Sequence, residues 1–559
     1  MKSSNRVKLF QLFVIFLFTI LLLLPSLAKF KLNFITKIKF ELTQEPFPEI
    51  LAFSNDRRLS VDDSIYPHHV EVSMAISEEG TIFVGWKNSE THNGGGARVS
   101  VVRSVDGGQT WTNPYDMPMF EGRTTRQSDP WLYWYNGTIY YAYLEYENQY
   151  FNNPEGGYLT QITVAKSDND GETWTPINAT AGNYFADKET FIVGENNTVY
   201  VVYDDADISP TGNATVRLTR SLDGGDTYQE ISNLGENFYF VGPYITLNST
   251  GDIFMAWTWA PESGGNLYFT KSIDKGLTFD PPILINQDGN YCIFESAGGF
   301  ASKATLPVLE FDHNDRLYVL WADKYDHLAD TWDVYLRYSD DYGLSWSNRI
   351  RINPSTTGNQ WNPDMAIDES GRLHIVYYSE QEGRYKPYYR TLNFTGPYRN
   401  ETIFSEEIAV AQRFTSSEFT RPGEYFAIQI DNNNIPHIAW SDARNNEMDI
   451  FYSYGLTYIP FPVEIIIIIV IIAILGIVSL VVIFYIRRKH RMPFETKPKI
   501  SDKKVDKREK DYMKAFKYVC SNCHKFTHTL RNFCENCGTK DSLKLATKED
   551  FHKYMPDLR

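Results

Sequence analysis

The sequence predicts an all-β protein: a β-propeller, seven four-stranded blades, followed by one transmembrane helix and a small zinc ribbon. Three observations predict it. A strand signature recurs seven times between residues 65 and 458, an unbroken apolar run covers 463–486, and two C-x-x-C pairs lie near the C-terminus. With 559 residues, 42% hydrophobic and 22% charged, the chain can bury a sizeable core, and 15% aromatics lean toward β structure. Its net charge of −16 is unevenly spread: residues 487–559 carry 20 Lys+Arg against 10 Asp+Glu, a net +10, leaving −26 for the rest. So acidic a surface repels phosphate backbones, so nucleic acid is not an expected partner of the propeller.

Residues 1–28 open the chain. An apolar stretch at 9–28 follows the basic residues Lys2, Arg6 and Lys8, and Ser26-Leu27-Ala28 offers small residues for cleavage. This is a signal peptide or an N-terminal anchor.

In the repeat region a turn residue is followed by a short apolar run and, six positions on, by an aromatic. The turn residues are Gly80, Gly137, Asn197, Gly251, Asp315, Gly371 and Asn434; the aromatics are Trp86, Tyr143, Tyr203, Trp257, Trp321, Tyr377 and Trp440. Steps of 54 to 64 residues between the aromatics suit four strands and their loops, and a closed ring leaves few exposed edges. Five of the seven units carry a second motif, first as Ser104-Val105-Asp106-Gly107-Gly108-Gln109-Thr110-Trp111. The later copies begin at Ser167, Ser221, Ser272 and Ser339 and end on Trp174, Tyr228, Phe279 and Trp346. Asn169 stands in for the aspartate in the second copy.

This motif resembles the Asp-box (BNR repeat), S-x-D-x-G-x-x-W, of the sialidase or neuraminidase superfamily. The role it implies is structural: the carboxylate or amide caps a hairpin, glycine takes positive φ, and the aromatic wedges into the blade. A calcium loop is the alternative, though the acidic spacing lacks the EF-hand register. The resemblance also allows a check on activity. Sialidases open their first blade with F-R-I-P, whose arginine grips the sugar carboxylate; the equivalent stretch here is His69-Val70-Glu71-Val72. Where the family places its catalytic aspartate, Glu90 is the loop's one carboxylate. Arg103 and Arg220 flank boxes and are assigned structural roles, and no catalytic residue is assigned.

Propellers commonly bind ligands where their innermost strands begin. The candidate ligand-binding residues there are Arg126, Asp129, Asp187, Lys188, Glu189, Asp364, Arg421, Glu424 and Tyr425. They bind a glycan or protein ligand, or else bond to one another and close the ring.

The apolar residues 463–486 carry a single charge, Glu464, and at 1.5 Å per residue reach about 36 Å, enough for a hydrocarbon core of ~30 Å. Arg487, Arg488, Lys489 and Arg491 follow at once, which places the C-terminus in the cytoplasm and the propeller outside the cell membrane. Seven glycosylation sequons, at Asn136, Asn178, Asn196, Asn213, Asn248, Asn393 and Asn400, agree with a glycoprotein exposed at the cell surface. Residues 487–517 are a basic linker whose cations suit anionic lipid.

Cys520, Cys523, Cys534 and Cys537 then place two C-x-x-C knuckles in residues 518–545, and Gly538 helps the second one turn. Four thiolates in this spacing resemble a zinc ribbon with one structural zinc. Redox dithiols, or a mixed site using His524 or His528, are the alternatives. Cys292 stands alone in the large region. The expected function is a membrane-anchored cell-surface propeller that recognises a ligand outside and offers its ribbon to an unknown cytoplasmic partner. A surface exo-sialidase or related glycoside hydrolase and a structural envelope component are the alternatives.

Overall fold

A computed structural model describes residues 49–457 (apart from 92–94, 121–125, 148–159, 181–184, 207–213, 235–239, 260–265, 287–305, 324–330, 397, 416–421 and 424), 476–480 and 482, and 516–554 (apart from 530, 532 and 533). These fall into two compact units, one ending at Tyr458 and one beginning at Ile459.

Among the described residues the first unit holds seven antiparallel sheets, six of them built from strands consecutive in sequence. Blade 1 begins with His68–Ile76, blade 2 with Arg126–Tyr135, blade 3 with Phe185–Gly194 and blade 4 with Phe240–Leu247. Blades 5, 6 and 7 begin with Val308–Phe311, Gln360–Ile367 and Ala427–Ile430. These first strands touch one another in order, and that of blade 7 meets that of blade 1, so they line the axis of a closed ring. The arrangement is consistent with a seven-bladed propeller. Strand Ile50–Phe53, from the N-terminal side, pairs with Asp449–Thr457 and completes blade 7.

The repeated signature explains the hairpins. All seven turn residues take left-handed φ, from 56° at Asn197 and Asp315 to 88° at Gly80, which glycine adopts freely and Asn and Asp tolerate better than bulkier residues. Six residues on, each aromatic is at most 2% exposed, where flat rings fill the space between neighbouring sheets.

The Ser-x-Asp turns work as local hydrogen-bond clamps. Asp106 accepts from the Thr110 amide (2.8 Å) and hydroxyl (2.6 Å), while Ser104 Oγ accepts from the Gly108 amide (2.9 Å). Asp223, Asp274 and Asp341 repeat the pattern, and Asn169 reproduces it by donating from Nδ2 to Thr173 Oγ1 (2.9 Å). Each clamp also packs on the blade before it. Trp111 meets Tyr452 of blade 7 at 4.8 Å, and a Cβ on Gly108 would collide with that Tyr452 ring. Arg103 and Arg220 reach forward to the next clamp, Arg103 to Glu172 and Arg220 to the Lys275 carbonyl.

These clamps carry a pH prediction. Hydrogen bonds from the Thr110 hydroxyl and amide lower Asp106 to about 2, and the Thr278 hydroxyl and amide do the same for Asp274. A lowered folded-state pKa contributes stability above the ordinary carboxylate value and loses it as pH falls toward 2. Changing Asp106, Asp223 and Asp274 to Asn, as at position 169, is expected to flatten the fall of the urea midpoint between about pH 4 and about pH 2. A slope identical to that of the unmodified chain would refute a role for these turns in acid unfolding.

The transmembrane expectation needs correction. Among the described residues no helix is long and apolar enough to cross a membrane. Only 476–480 and 482 of the 463–486 segment are described. The single transmembrane span, and with it the assignment to the cell membrane with the propeller outside and the C-terminus inside, is therefore not supported. Residues 1–28 and Cys292 lie outside the described residues.

In the second unit, Tyr518–Cys520 pairs with both Phe526–Thr527 and Leu543–Leu545, and a short helix runs over Lys548–Tyr554. Thr547 caps that helix, its Oγ1 accepting from the Asp550 amide (3.3 Å) while Asp550 Oδ2 accepts from the Thr547 amide and hydroxyl (both 2.9 Å).

Candidate functional site

The innermost strands of blades 1, 2, 3, 4 and 6 each carry a β-bulge near their start, between Val70 and Ser73, Ser128 and Trp131, Asp187 and Thr190, Val241 and Tyr244, and Trp361 and Asp364. Inside the bulges sit residues with left-handed φ: Glu71 at 59°, Asp129 at 51°, Lys188 at 51°, Gly242 at 63° and Asn362 at 44°. Gly423, at 96°, precedes Tyr425 in blade 7. Four of these six are not glycine, and each such residue costs about 1–2 kcal/mol in this region. Bulges of this kind re-aim side chains, here at one end of the axis.

The bulge residues bond across the blades. Asp129 Oδ1 accepts from Lys188 Nζ (3.3 Å) and from the Tyr425 hydroxyl (3.2 Å), joining blades 2, 3 and 7. The Asp129 amide donates to Glu71 Oε2 (3.3 Å), and Glu71 is paired in turn with the buried Lys87. Asn362 Nδ2 donates to the Gly423 carbonyl (2.7 Å), and the Gly242 amide to Asp204 Oδ2 (3.1 Å).

Two residues further along each strand lies a second ring of side chains: Ser73, Trp131, Thr190, Tyr244, Val308, Asp364 and Tyr425. Six of these, all but Ser73, line one recess together with Lys188, and Ser73 lines its continuation. Trp131 stands perpendicular to Tyr244 (centroids 5.6 Å apart, 87°) and nearly so to Tyr425 (5.7 Å, 75°). Asp364 accepts from the Met365 amide (2.9 Å) and, across to blade 7, from the Ile428 amide (3.0 Å). Below it in the channel lies Glu310, whose carboxylate makes no hydrogen bond among the described residues. Burial raises Asp364 to about 7, and burial together with the Asp364 charge raises Glu310 to about 8.

The expected mouth residues thus divide. Asp129, Lys188 and Tyr425 form one bonded group, and Asp364 lines the same recess. Asp187 flanks the group, accepting the Lys188 amide at 3.0 Å. Glu189 is fully buried, neither carboxylate oxygen has a side-chain or cross-strand partner among the described residues, and burial beside Asp129 and Asp187 raises its pKa strongly. Arg126 is committed elsewhere, in a two-point pair with Glu90 (2.9 and 2.6 Å), which holds the Glu90 carboxyl below its usual range. Arg421 and Glu424 lie outside the described residues.

In the second unit, Cys520 and Cys537 Sγ are 3.8 Å apart and Cys523 and Cys534 Sγ 3.6 Å, with all four sulfurs within 4.8 Å of one another. Tetrahedral thiolates at zinc bond lengths of ~2.3 Å stand about 3.8 Å apart, so the four fit a metal ion. The two knuckles match: His524 (φ 58°) and Gly538 (φ 70°) follow their second cysteines, and their amides close onto Cys520 and Cys534 carbonyls (3.0 and 2.8 Å). The His524 ring stacks on Tyr554 at 4.1 Å, which accounts for it without a metal.

No family model and no curated protein matches this chain. Solved structures do. A protein of unknown function from Dyadobacter fermentans is similar at 16% identity over 60% of this chain and 95% of that one, with a TM-score of 0.42. Trypanosoma rangeli sialidase in complex with the inhibitor DANA matches at 12% identity and a TM-score of 0.40, over 60% of this chain and 57% of the sialidase. The GH93 alpha-L-arabinofuranosidase of Fusarium graminearum, with arabinobiose, matches at 12% identity and a TM-score of 0.39, over 72% and 97% of the two chains. These are distant structural similarities.

Residue-by-residue expectation missed Trp131, Tyr244 and Glu310. A signal for the first two was present. Asp129-Pro130, Gly242-Pro243, Leu306-Pro307 and Asn362-Pro363 repeat an X-Pro step at the start of an inner strand, and the next residue each time lines the recess. Proline removes an amide from the ladder, which a bulge accommodates. Nothing local marked Glu310.

Proposed function

We propose that the ring is a sialidase-like Asp-box propeller that recognises a glycan or protein ligand at this mouth and does not release sialic acid. The observation that carries the proposal is the set of four strained, non-glycine bulge residues directed at one end of the axis; strain of that kind is retained where function repays it. Against sialidase chemistry, the first-blade position holds Glu71 paired with Lys87, and Glu90 is an ionised carboxylate bound to Arg126, unsuited to donate a proton. The four cysteines are proposed to hold one structural zinc.

Replacing Lys188 or Asn362 by Gly is expected to relieve about 1 kcal/mol of backbone strain each against about 1–3 kcal/mol for the lost side-chain bond, so that the melting temperature falls by only a few degrees. Ligand binding by the full chain, screened on immobilised glycans and peptides, is expected to fall at least tenfold. Glycine variants that melt far lower and bind nothing new would assign these residues to ring closure alone. The glycoside-hydrolase alternative draws on Glu310 and Asp364, carboxyls that keep a proton near neutral pH as a general acid must. Turnover of a sialoside that is lost in Asp364→Asn would establish it.

A further inference from the structure

We propose that the ring of side chains formed by Trp131, Tyr244, Tyr425 and Asp364 is a site for an organic ammonium group. The inference rests on the mouth being a ligand site and names the chemistry of its ligand. Three aromatic rings from blades 2, 4 and 7 line one recess, and the two T-shaped contacts to Trp131 set them as walls of a corner. A compact cation lodged in such a corner meets π faces, whose quadrupole attracts it, and Trp attracts most strongly. Asp364, from blade 6, supplies a carboxylate in the same recess.

Charge points the same way. Among the described residues, Lys188 is a cation already at the mouth, and Asp129 holds it. That leaves Asp364 and, one layer below, Glu310, which has no hydrogen-bond partner among the described residues. Ala427 of blade 7 lines the same layer as Glu310. Above about pH 8, where both carboxyls are ionised, an anionic sugar acid would face two negative charges and an ammonium group would offset them. Aromatic walls also suit alkylated nitrogen, which is less hydrated than a bare ammonium and loses less on leaving water.

The pH dependence follows from the groups around the recess: Asp364 (blade 6), Glu310 (blade 5), Asp129 and the phenol of Tyr133 (blade 2), Lys188 (blade 3), Tyr244 (blade 4), Tyr425 (blade 7) and Glu71 (blade 1). Of these, Asp364 and Glu310 titrate near neutrality, at about 7 and about 8. A bound cation favours their ionised forms, so affinity is full above about pH 8 and falls as pH drops through 7.

Choline and its neutral isostere 3,3-dimethylbutan-1-ol are to be titrated into the full chain, following tryptophan fluorescence and heat. Choline titrates at no pH in the range, so any pH effect belongs to the protein. The expected result is saturable binding of choline at least tenfold tighter than the alcohol, weakening from about pH 9 to about pH 6. Trp131→Leu is expected to lose it at least tenfold and Trp131→Phe to restore most of it, both variants keeping a cooperative melting transition. Glucosamine and Nα-acetyl-lysinamide separate a sugar-borne from a polypeptide-borne ammonium, and binding of either supports the site. Equal binding of choline and the alcohol, or no pH dependence, overturns the proposal. Binding of N-acetylglucosamine without any amine would keep the mouth as a ligand site while overturning the ammonium assignment. Failure of every probe at millimolar concentration overturns the assignment, and if the glycan and peptide screen fails as well, the mouth is not a ligand site.

Discussion

Removing metal from the full chain is expected to unfold residues 516–554. The strands and helix of 516–554 bury few apolar side chains of their own: those fully or nearly buried among the described residues are Val519, Cys520 and Cys534. Chains below about 40 residues usually require a metal, a disulfide or a partner to fold. Structural zinc supplies about 10–16 kcal/mol of apparent folding free energy, more than three short strands and a two-turn helix provide. The purified protein is expected to contain one zinc per chain. With chelator, amide protection should vanish over Tyr518–Cys520 and Leu543–Leu545, falling by several orders of magnitude, while amides of Leu317–Asp323 in the ring keep theirs. Changing any one of the four cysteines to serine should have the same local effect. Protection that survives chelation, or a Cys520–Cys537 disulfide in place of metal, would refute the zinc site.

Deleting residues 49–60 is expected to open the ring and abolish its cooperative unfolding. Strand Ile50–Phe53 pairs with Asp449–Thr457 in the register Ile50 to Thr457 and Phe53 to Gly455. Ile50, Phe53 and Leu59 are all at most 9% exposed, and burial of each contributes about 1.5–3 kcal/mol. The deletion also strands polar groups. Arg444 loses Asp56, and Asp449 loses both Arg58 (2.6 Å) and the Ser60 hydroxyl (2.9 Å). Removing one partner of such a buried pair typically costs about 3–5 kcal/mol. Together these losses match or exceed the whole stability of an ordinary domain, about 5–15 kcal/mol. The exposed edge of Asp449–Thr457 should also promote association between copies. Calorimetry and light scattering check both outcomes. A deleted chain that melts as a monomer within a few degrees of the intact one would show that the blade 7 closure is dispensable.

Much of the ring was legible in the chain because its rules are local. The turn residue, the apolar run and the aromatic lie within seven positions, and a left-handed turn from Gly80 to Asn434 is a property of the residue itself. The clamp from Ser104 to Trp111 closes within eight residues, and each C-x-x-C knuckle within five, so spacing alone announced them. The apolar run at 463–486 shows the limit of such patterns, since hydropathy prompted a spanning helix that no described helix supports.

Tertiary structure alone decided which polar residues face the channel and which hold one another. Arg126 and Glu90, 36 residues apart, pair and leave the mouth, whereas Tyr425 reaches Asp129 across 296 residues because the ring closes. Trp131 and Tyr244 resemble other strand aromatics in sequence; the bulges at Asp129 and Gly242, and the meeting of seven inner strands, turn them into one recess. Local propensity acts over a few residues, while convergence on an axis depends on the closure of the whole ring.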